Sequence, residues 1–197
     1  MRMTSFRRIA LALPVAAALA GCQTTPPETA FPKLSYSHLQ PIRLDVRRVE
    51  VVETYKSPAT PPHVEHLFPV KPVDALRQWA SDRLWAAGTS GVARFEILRA
   101  SVVEVPLERT KGIKGWLTTD QTERYDGVIE VRLDILDSTG NTRGEVTSRT
   151  QRSRSVPEDV SLRGREEIWF RLTEAMMNDL NGSLETQIQA HLSNLLR

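Results

Sequence analysis

The sequence predicts an α+β fold, a two-layer sandwich in which two helices cover one face of a mostly antiparallel four-stranded sheet. Three observations predict it. Two segments repeat apolar residues at helical spacing, several others alternate apolar with polar residues, and the elements follow the order strand-helix-strand-strand-strand-helix. One-sided helices and a one-sided sheet bury their apolar faces best against each other.

The first predicted strand starts at Ile42. Ile42, Leu44 and Val46 alternate with polar residues, and apolar residues resume at Val49 and Val51 after two arginines. This pattern predicts one strand with a bulge near the arginines.

The first predicted helix follows a proline-rich loop over residues 56–72. Pro72 suits the first turn of a helix, and Gly88 suits the position after its end. The helical face is formed by Val73, Leu76, Trp79, Ala80, Leu84 and Ala87. We therefore expect Trp79 and Leu84 to face the sheet.

Three further strands are predicted in the middle of the chain. Residues 92–105 are rich in β-branched residues, and residues 129–135 alternate apolar with charged side chains. Turn residues at 137–141 then predict an antiparallel return over residues 144–156. That last strand is polar almost throughout, which is typical of a sheet edge.

The second predicted helix begins near Ser161 and runs towards the end of the chain. Its apolar stripe consists of Ile168, Leu172, Ala175, Met176, Leu180, Leu184, Ile188, Leu192 and Leu195. Polar residues occupy the opposite side, so the segment predicts a long amphipathic helix.

Charge and cysteine content restrict the function classes. The 197 residues contain 26 basic and 24 acidic side chains, a formal net charge of +2. Residues 1–21 hold three of the arginines and no acid, so the rest of the chain is near neutral, at −1. This balance argues against nucleic-acid binding. The single cysteine excludes an intrachain disulfide and a thiolate metal cluster.

The amino-terminal segment predicts an export signal. Residues 1–8 carry three arginines and no acid, and residues 9–20 form a 12-residue apolar run, too short to cross a bilayer as a helix. Leu19-Ala20-Gly21-Cys22 resembles the lipobox of bacterial lipoproteins. That resemblance implies cleavage before Cys22, a diacylglyceryl group on its thiol, and acylation of the new amino terminus by a chain such as palmitate.

Three segments are therefore expected: a signal peptide over 1–21, a lipidated proline-rich tether over 22–41, and one periplasm-facing domain over 42–197. In such lipoproteins an aspartate after the cysteine signals retention in the inner membrane. Gln23 occupies that place here and favours the periplasmic face of the outer membrane, with the inner membrane as the alternative. The element order resembles the lipoprotein subunit of the lipopolysaccharide translocon and the auxiliary lipoproteins of lipid-trafficking ABC transporters.

Two groups of residues are candidates for partner binding. The segment 111–120 is longer than a hairpin requires and carries Lys111, Ile113, Lys114 and Trp116. It either binds a partner or folds back over an open end of the core. The polar strand carries three arginines, Arg149, Arg152 and Arg154. They either bind an anionic lipid or are solvated side chains of an edge strand.

The chemistry-bearing residues predict a binding protein without a cofactor, rather than an enzyme. No Gly-x-Ser-x-Gly elbow or glycine-rich phosphate loop occurs. We expect an accessory or assembly subunit of an outer-membrane or lipid-transport system, with a protein partner in the envelope. The enzyme alternative is a small metal-assisted hydrolase using His63, Glu65 and His66. A third possibility is a structural tether between membrane and cell wall.

Overall fold

The structure is a computed structural model that describes residues 30–107 and 121–197. Strand β1 is Ile42–Leu44 and β2 is Arg48–Glu53; helix α1 is Pro72–Arg83; strand β3 is Leu84–Ala86. Strands β4, β5 and β6 are Val92–Pro106, Gln121–Leu136 and Thr142–Pro157, and helix α2 is Leu162–His191. Short 3-10 turns occupy Glu65–Leu67 and Ser193–Leu195.

The main sheet has the order β2-β4-β5-β6. Strand β2 is parallel to β4, and the other two pairings are antiparallel. Strand β6 lies at an edge, which confirms the placement expected from its polar composition. Its exposed residues alternate with buried ones over the first half of the strand.

Both helices pack on the same face of this sheet. Trp79 of α1 stacks on Phe95 of β4 with ring centroids 5.4 Å apart, and its indole N–H donates to Asn181 Oδ1 of α2 at 2.8 Å. Trp169 of α2 meets Tyr125 of β5 edge-on. The predicted α+β two-layer sandwich is therefore confirmed, and so is the burial of Trp79 and Leu84.

The prediction of a single bulged strand from Ile42 to Val51 is wrong. Strand β1 pairs in parallel with β3 in a separate two-stranded sheet, whereas β2 pairs with β4. Between them the amide of Arg47 donates to the carbonyls of Ser90 and Gly91. The backbone therefore leaves the β1–β3 sheet after Leu44 and enters the main sheet at Arg48.

The predicted first helix ends earlier than expected. It stops at Arg83, and the following residues continue as β3 instead of a further helical turn. The amides of Ala87 and Gly88 donate to the carbonyls of Leu44 and Val46, at 2.8 and 2.9 Å. A Cβ on Gly88 would lie 2.7 Å from the nitrogen of Val46, so the glycine permits this close approach.

The segment 31–41 lies against the helices. The compact unit begins at Phe31, whereas the sequence places the start of the domain at Ile42. The ring of Phe31 stacks on Phe170 at 5.4 Å, and the Arg163 guanidinium lies 3.9 Å from its centroid. Tyr36 is buried, and its amide donates to Asp82 of α1 at 2.7 Å. The segment is therefore part of the packed layer.

The long helix α2 is capped at its start by Ser161, whose hydroxyl accepts a hydrogen bond from the amide of Gly164. Its buried side follows the predicted apolar stripe through Leu172, Met176, Leu180 and Leu184. Among the described residues, no helix combines the length and the apolar character that spanning a membrane would require.

Candidate functional site

Five of the predicted site residues lie outside the described residues. These are Cys22, Lys111, Ile113, Lys114 and Trp116. The described strands nevertheless fix where the loop begins and ends, because Leu107 N donates to Thr122 O at 2.9 Å. Both ends of the loop therefore lie where β4 finishes and β5 starts.

The three arginines of β6 occupy two faces of the sheet. Arg149 is paired with Glu130 at 3.5 Å on the face opposite the helices. Arg152 lies on the helix side, where its Nε and Nη2 contact both oxygens of Asp179 on α2, at 2.5 and 2.9 Å. Arg154 shares that side by alternation along the strand. The arginines therefore do not form one continuous patch.

The Arg152–Asp179 pair joins the edge strand to α2. Hydrogen bonding and charge from Asp179 raise the pKa of the Arg152 guanidinium, and hydrogen bonding from Arg152 lowers the pKa of the Asp179 carboxyl. The fork of an arginine matches both oxygens of a carboxylate, so this contact has a preferred geometry. Arg152 is thus already engaged within the fold, whereas no described carboxylate pairs with Arg154.

The face of the sheet opposite the helices carries cross-strand ion pairs. Arg132 of β5 contacts Glu96 of β4 and lies 3.3 Å from Asp134 on its own strand. A hydrogen bond from Thr54 and the neighbouring Arg132 guanidinium lower the pKa of Glu96. The charges of Glu96, Arg132 and Asp134 are therefore neutralised locally at the centre of this face.

Glu65 lies at the centre of the His63–His66 segment and is buried, with 4% of its surface exposed. Its Oε1 accepts hydrogen bonds from the hydroxyls of Tyr55 and Ser57, both at 2.6 Å. Its Oε2 accepts from the amide of Val102 at 3.0 Å. Burial alone would raise the pKa of Glu65, but these three donors together lower it below its ordinary value.

The Glu65 carboxylate therefore has a structural role. It ties the proline-rich loop to β4, and both of its oxygens are occupied by donors of the protein. His63 Nδ1 lies 3.8 Å from Glu65 Oε2, outside hydrogen-bond distance. Within residues 30–107 and 121–197, no three His, Cys, Asp or Glu side chains are arranged to hold a metal ion.

Sequence reasoning did not identify the two hydroxyl donors of Glu65. Tyr55 and Ser57 precede it by ten and eight residues and carry no motif that links them to a carboxylate. Burial and hydrogen bonding to Glu65 raise the pKa of the Tyr55 phenol, which therefore stays a donor at neutral pH. Only folding of the loop brings these groups together.

No protein-family model matches the chain, and no curated protein matches it. Two solved lipoproteins are similar in structure. Rare lipoprotein B from Shewanella oneidensis is 10% identical, with a TM-score of 0.39 over 73% of this chain and 95% of that one. A minor lipoprotein from Acinetobacter baumannii is 14% identical, with a TM-score of 0.37 over 78% of this chain and 96% of that one. Structural similarities this weak do not indicate a shared function.

Proposed function

We propose that the protein is a lipid-anchored lipoprotein of the bacterial envelope that acts by binding, as an accessory or assembly subunit of an outer-membrane or lipid-transport system. The observation that carries the proposal is the Leu19–Cys22 sequence, which follows a basic stretch and a short apolar run. The lipidated Cys22 anchors the chain on the periplasmic face of the outer membrane. We propose no catalytic step.

The packing of residues 31–41 supports a short anchor. Tyr36 is buried and Phe31 stacks on α2, so residues 23–30 are the chain that separates Cys22 from the packed domain. A fully extended chain of that length reaches at most about 30 Å.

The partner-binding surface in this proposal is the loop with Lys111, Ile113, Lys114 and Trp116, together with Arg154. Arg154 stands opposite Tyr125 in the β5–β6 register, and Pro106 stands opposite Glu123 in the β4–β5 register. Tyr125, which stands opposite Arg154, is three residues, or roughly 10 Å along β5, from Thr122 at the base of the loop, and Arg154 lies one strand further out. Arg149 and Arg152 contribute less because each already pairs with a carboxylate.

Replacement of Cys22 tests the anchor. Cys22→Ser removes the only thiol of the chain, so labelling with an alkyne-bearing palmitate analogue should be lost and the protein should leave the carbonate-washed membrane fraction. Gln23→Ser is the matched control, because it introduces the same residue next to an intact cysteine and should still be labelled. Membrane retention of an acylated Cys22→Ser protein would contradict the proposal.

Crosslinking in intact cells tests the accessory role. Wild-type protein should capture a defined envelope partner, and Cys22→Ser should capture less of it because the free protein no longer shares the membrane surface with it. Equal capture by both proteins would show that anchoring does not contribute to assembly.

A further inference from the structure

A cleft of about 460 Å³ lies at the end of the sheet where β2 and β4 begin and β5 ends. The strand ends form one wall, and the loop at 89–91 and the turn at 137–140 form the others. A volume of this order is within the range of small-molecule sites. The cleft lies at the Leu136 end of β5, which is the opposite end of that strand from Gln121.

Two cations that line this cleft have no ion-pair partner among the described residues. Arg47 is exposed and Arg94 is half-buried, and no described carboxylate lies within ion-pair distance of either. Glu50 stands opposite Arg94 in the strand register but pairs with Arg48 at 2.7 Å. Asp134, also opposite Arg94, pairs with Arg132.

The other carboxylate of the cleft is occupied by its own turn. Asp137 Oδ1 accepts hydrogen bonds from the amides of Thr139 and Asn141, at 2.8 and 2.9 Å, and from the Thr139 hydroxyl at 2.7 Å. These bonds lower the pKa of Asp137 to about 2, and the bond from the Thr139 hydroxyl has the largest effect. The cleft is thus lined by three guanidinium groups and two carboxylates. Glu50 already pairs with Arg48, and Asp137 already accepts the hydrogen bonds of its turn.

Hydroxyl groups add neutral donors to the cleft. Thr89, Ser90 and Ser138 line it, and none of these hydroxyls bonds to another described residue. The loop that carries Thr89 and Ser90 lies close to the end of β5, because Gly91 adopts φ +78° and a Cβ there would lie 2.4 Å from the carbonyl oxygen of Leu136. The glycine therefore allows the loop to approach β5 and form a cleft wall.

We propose that this cleft binds a phosphate monoester group, with Arg47 and Arg94 as its charged ligands and the hydroxyls of Thr89, Ser90 and Ser138 as neutral donors. Each guanidinium can donate two parallel hydrogen bonds to two oxygens of a phosphate. The two arginines and three hydroxyls of the cleft together offer more donors than the two oxygens of a carboxylate can accept, which favours a phosphate. The cleft is larger than a phosphate ion, so it has room for a phosphate carried by a larger molecule. The site does not depend on the lipid anchor.

Titration calorimetry of the full chain in a nonionic detergent tests the site at low ionic strength. The two probes are inorganic phosphate and dihexanoyl phosphatidic acid, which presents the same terminal phosphate on a lipid. We expect saturable binding, weakened about tenfold or more by Arg94→Ala and by Arg47→Ala. Added sodium chloride should weaken it as well.

Arg124→Ala is the matched control, because Arg124 lies on the same face of the sheet but is paired with Asp126. It should leave the affinity for both probes unchanged. Arg47 is exposed, so Arg47→Ala keeps the test valid even if Arg94→Ala disturbs folding, which the thermal melt of each variant reports.

The relative affinity of the two probes identifies the source of the phosphate. Equal affinities that both depend on Arg94 indicate a free phosphorylated solute. An affinity at least about tenfold higher for the phosphatidic acid, with the same dependence, indicates a lipid headgroup. Absence of binding by both probes, or an equal loss in Arg124→Ala and Arg94→Ala, would overturn the proposal.

Discussion

Replacement of Trp79 by alanine tests the packing between the two layers. Trp79 has 0% of its surface exposed and joins α1 to β4 by stacking and to α2 by a hydrogen bond. Removing a buried tryptophan costs ~3–5 kcal/mol, because the site loses burial of the ring and retains a cavity. For a domain of this size the melting temperature should fall by about 2–4 °C for each kcal/mol.

Two companion variants divide this cost between packing and hydrogen bonding. Trp79→Phe keeps a ring that can stack on Phe95 but loses the bond to Asn181, so it should cost clearly less than the alanine variant. Asn181→Ala keeps the indole and leaves its N–H without an acceptor, at a cost of ~1–3 kcal/mol. The double variant Trp79→Phe/Asn181→Ala gives the coupling energy.

Urea denaturation followed by circular dichroism measures all four variants. Trp85→Ala is the control, because Trp85 is the same residue type but 53% exposed, and its replacement should change stability by about 0.5 kcal/mol or less. If Trp79→Ala and Trp85→Ala shift the denaturation midpoint equally, the assignment of Trp79 to the interior is refuted.

Two further predictions concern the proline-rich loop and the β4–β5 loop. Glu65→Gln should destabilise the protein at pH 7, because the charged acceptor of Tyr55 and Ser57 is lost. The pKa of Glu65 is lowered by folding, so its stabilising contribution is complete above the ordinary value of 4.5 and is lost as the pH falls further. The urea midpoints of wild type and Glu65→Gln should therefore converge in acid; a constant difference would contradict the charged role. Trp116→Ala should weaken partner binding by ~2 kcal/mol or more, about thirtyfold, in a pull-down titration and leave the melting temperature unchanged. A lower melting temperature with unchanged binding would instead place Trp116 over the core.

Much of the fold followed from local pattern. Pro72 predicted the start of α1 and residues 137–141 predicted the β5–β6 turn, because both signals act through backbone geometry over a few residues. The polar composition of β6 predicted an edge strand for a similar reason, since a buried strand could not satisfy so many charges.

The candidate site depended on contacts between distant parts of the chain. The sequence indicated Arg149 and Arg152 as candidates, but only the structure shows that Asp179 of α2 engages Arg152. It likewise shows that Glu65 is held by Tyr55 and Ser57, and that no carboxylate of the described residues lies within ion-pair distance of Arg94. Partner choice of this kind depends on which elements come together, and no local pattern encodes it.

The sequence by itself determined the α+β class, the two amphipathic helices, the edge character of β6 and the Leu19–Cys22 motif, because composition and periodicity within each segment are enough for these. The tertiary structure decided that the chain changes sheets between β1 and β2, that residues 84–86 are a strand, and that residues 31–41 pack against the helices. The physical reason is that short apolar runs fit a helix or a strand equally well, and backbone hydrogen-bond partners distant in sequence select between them.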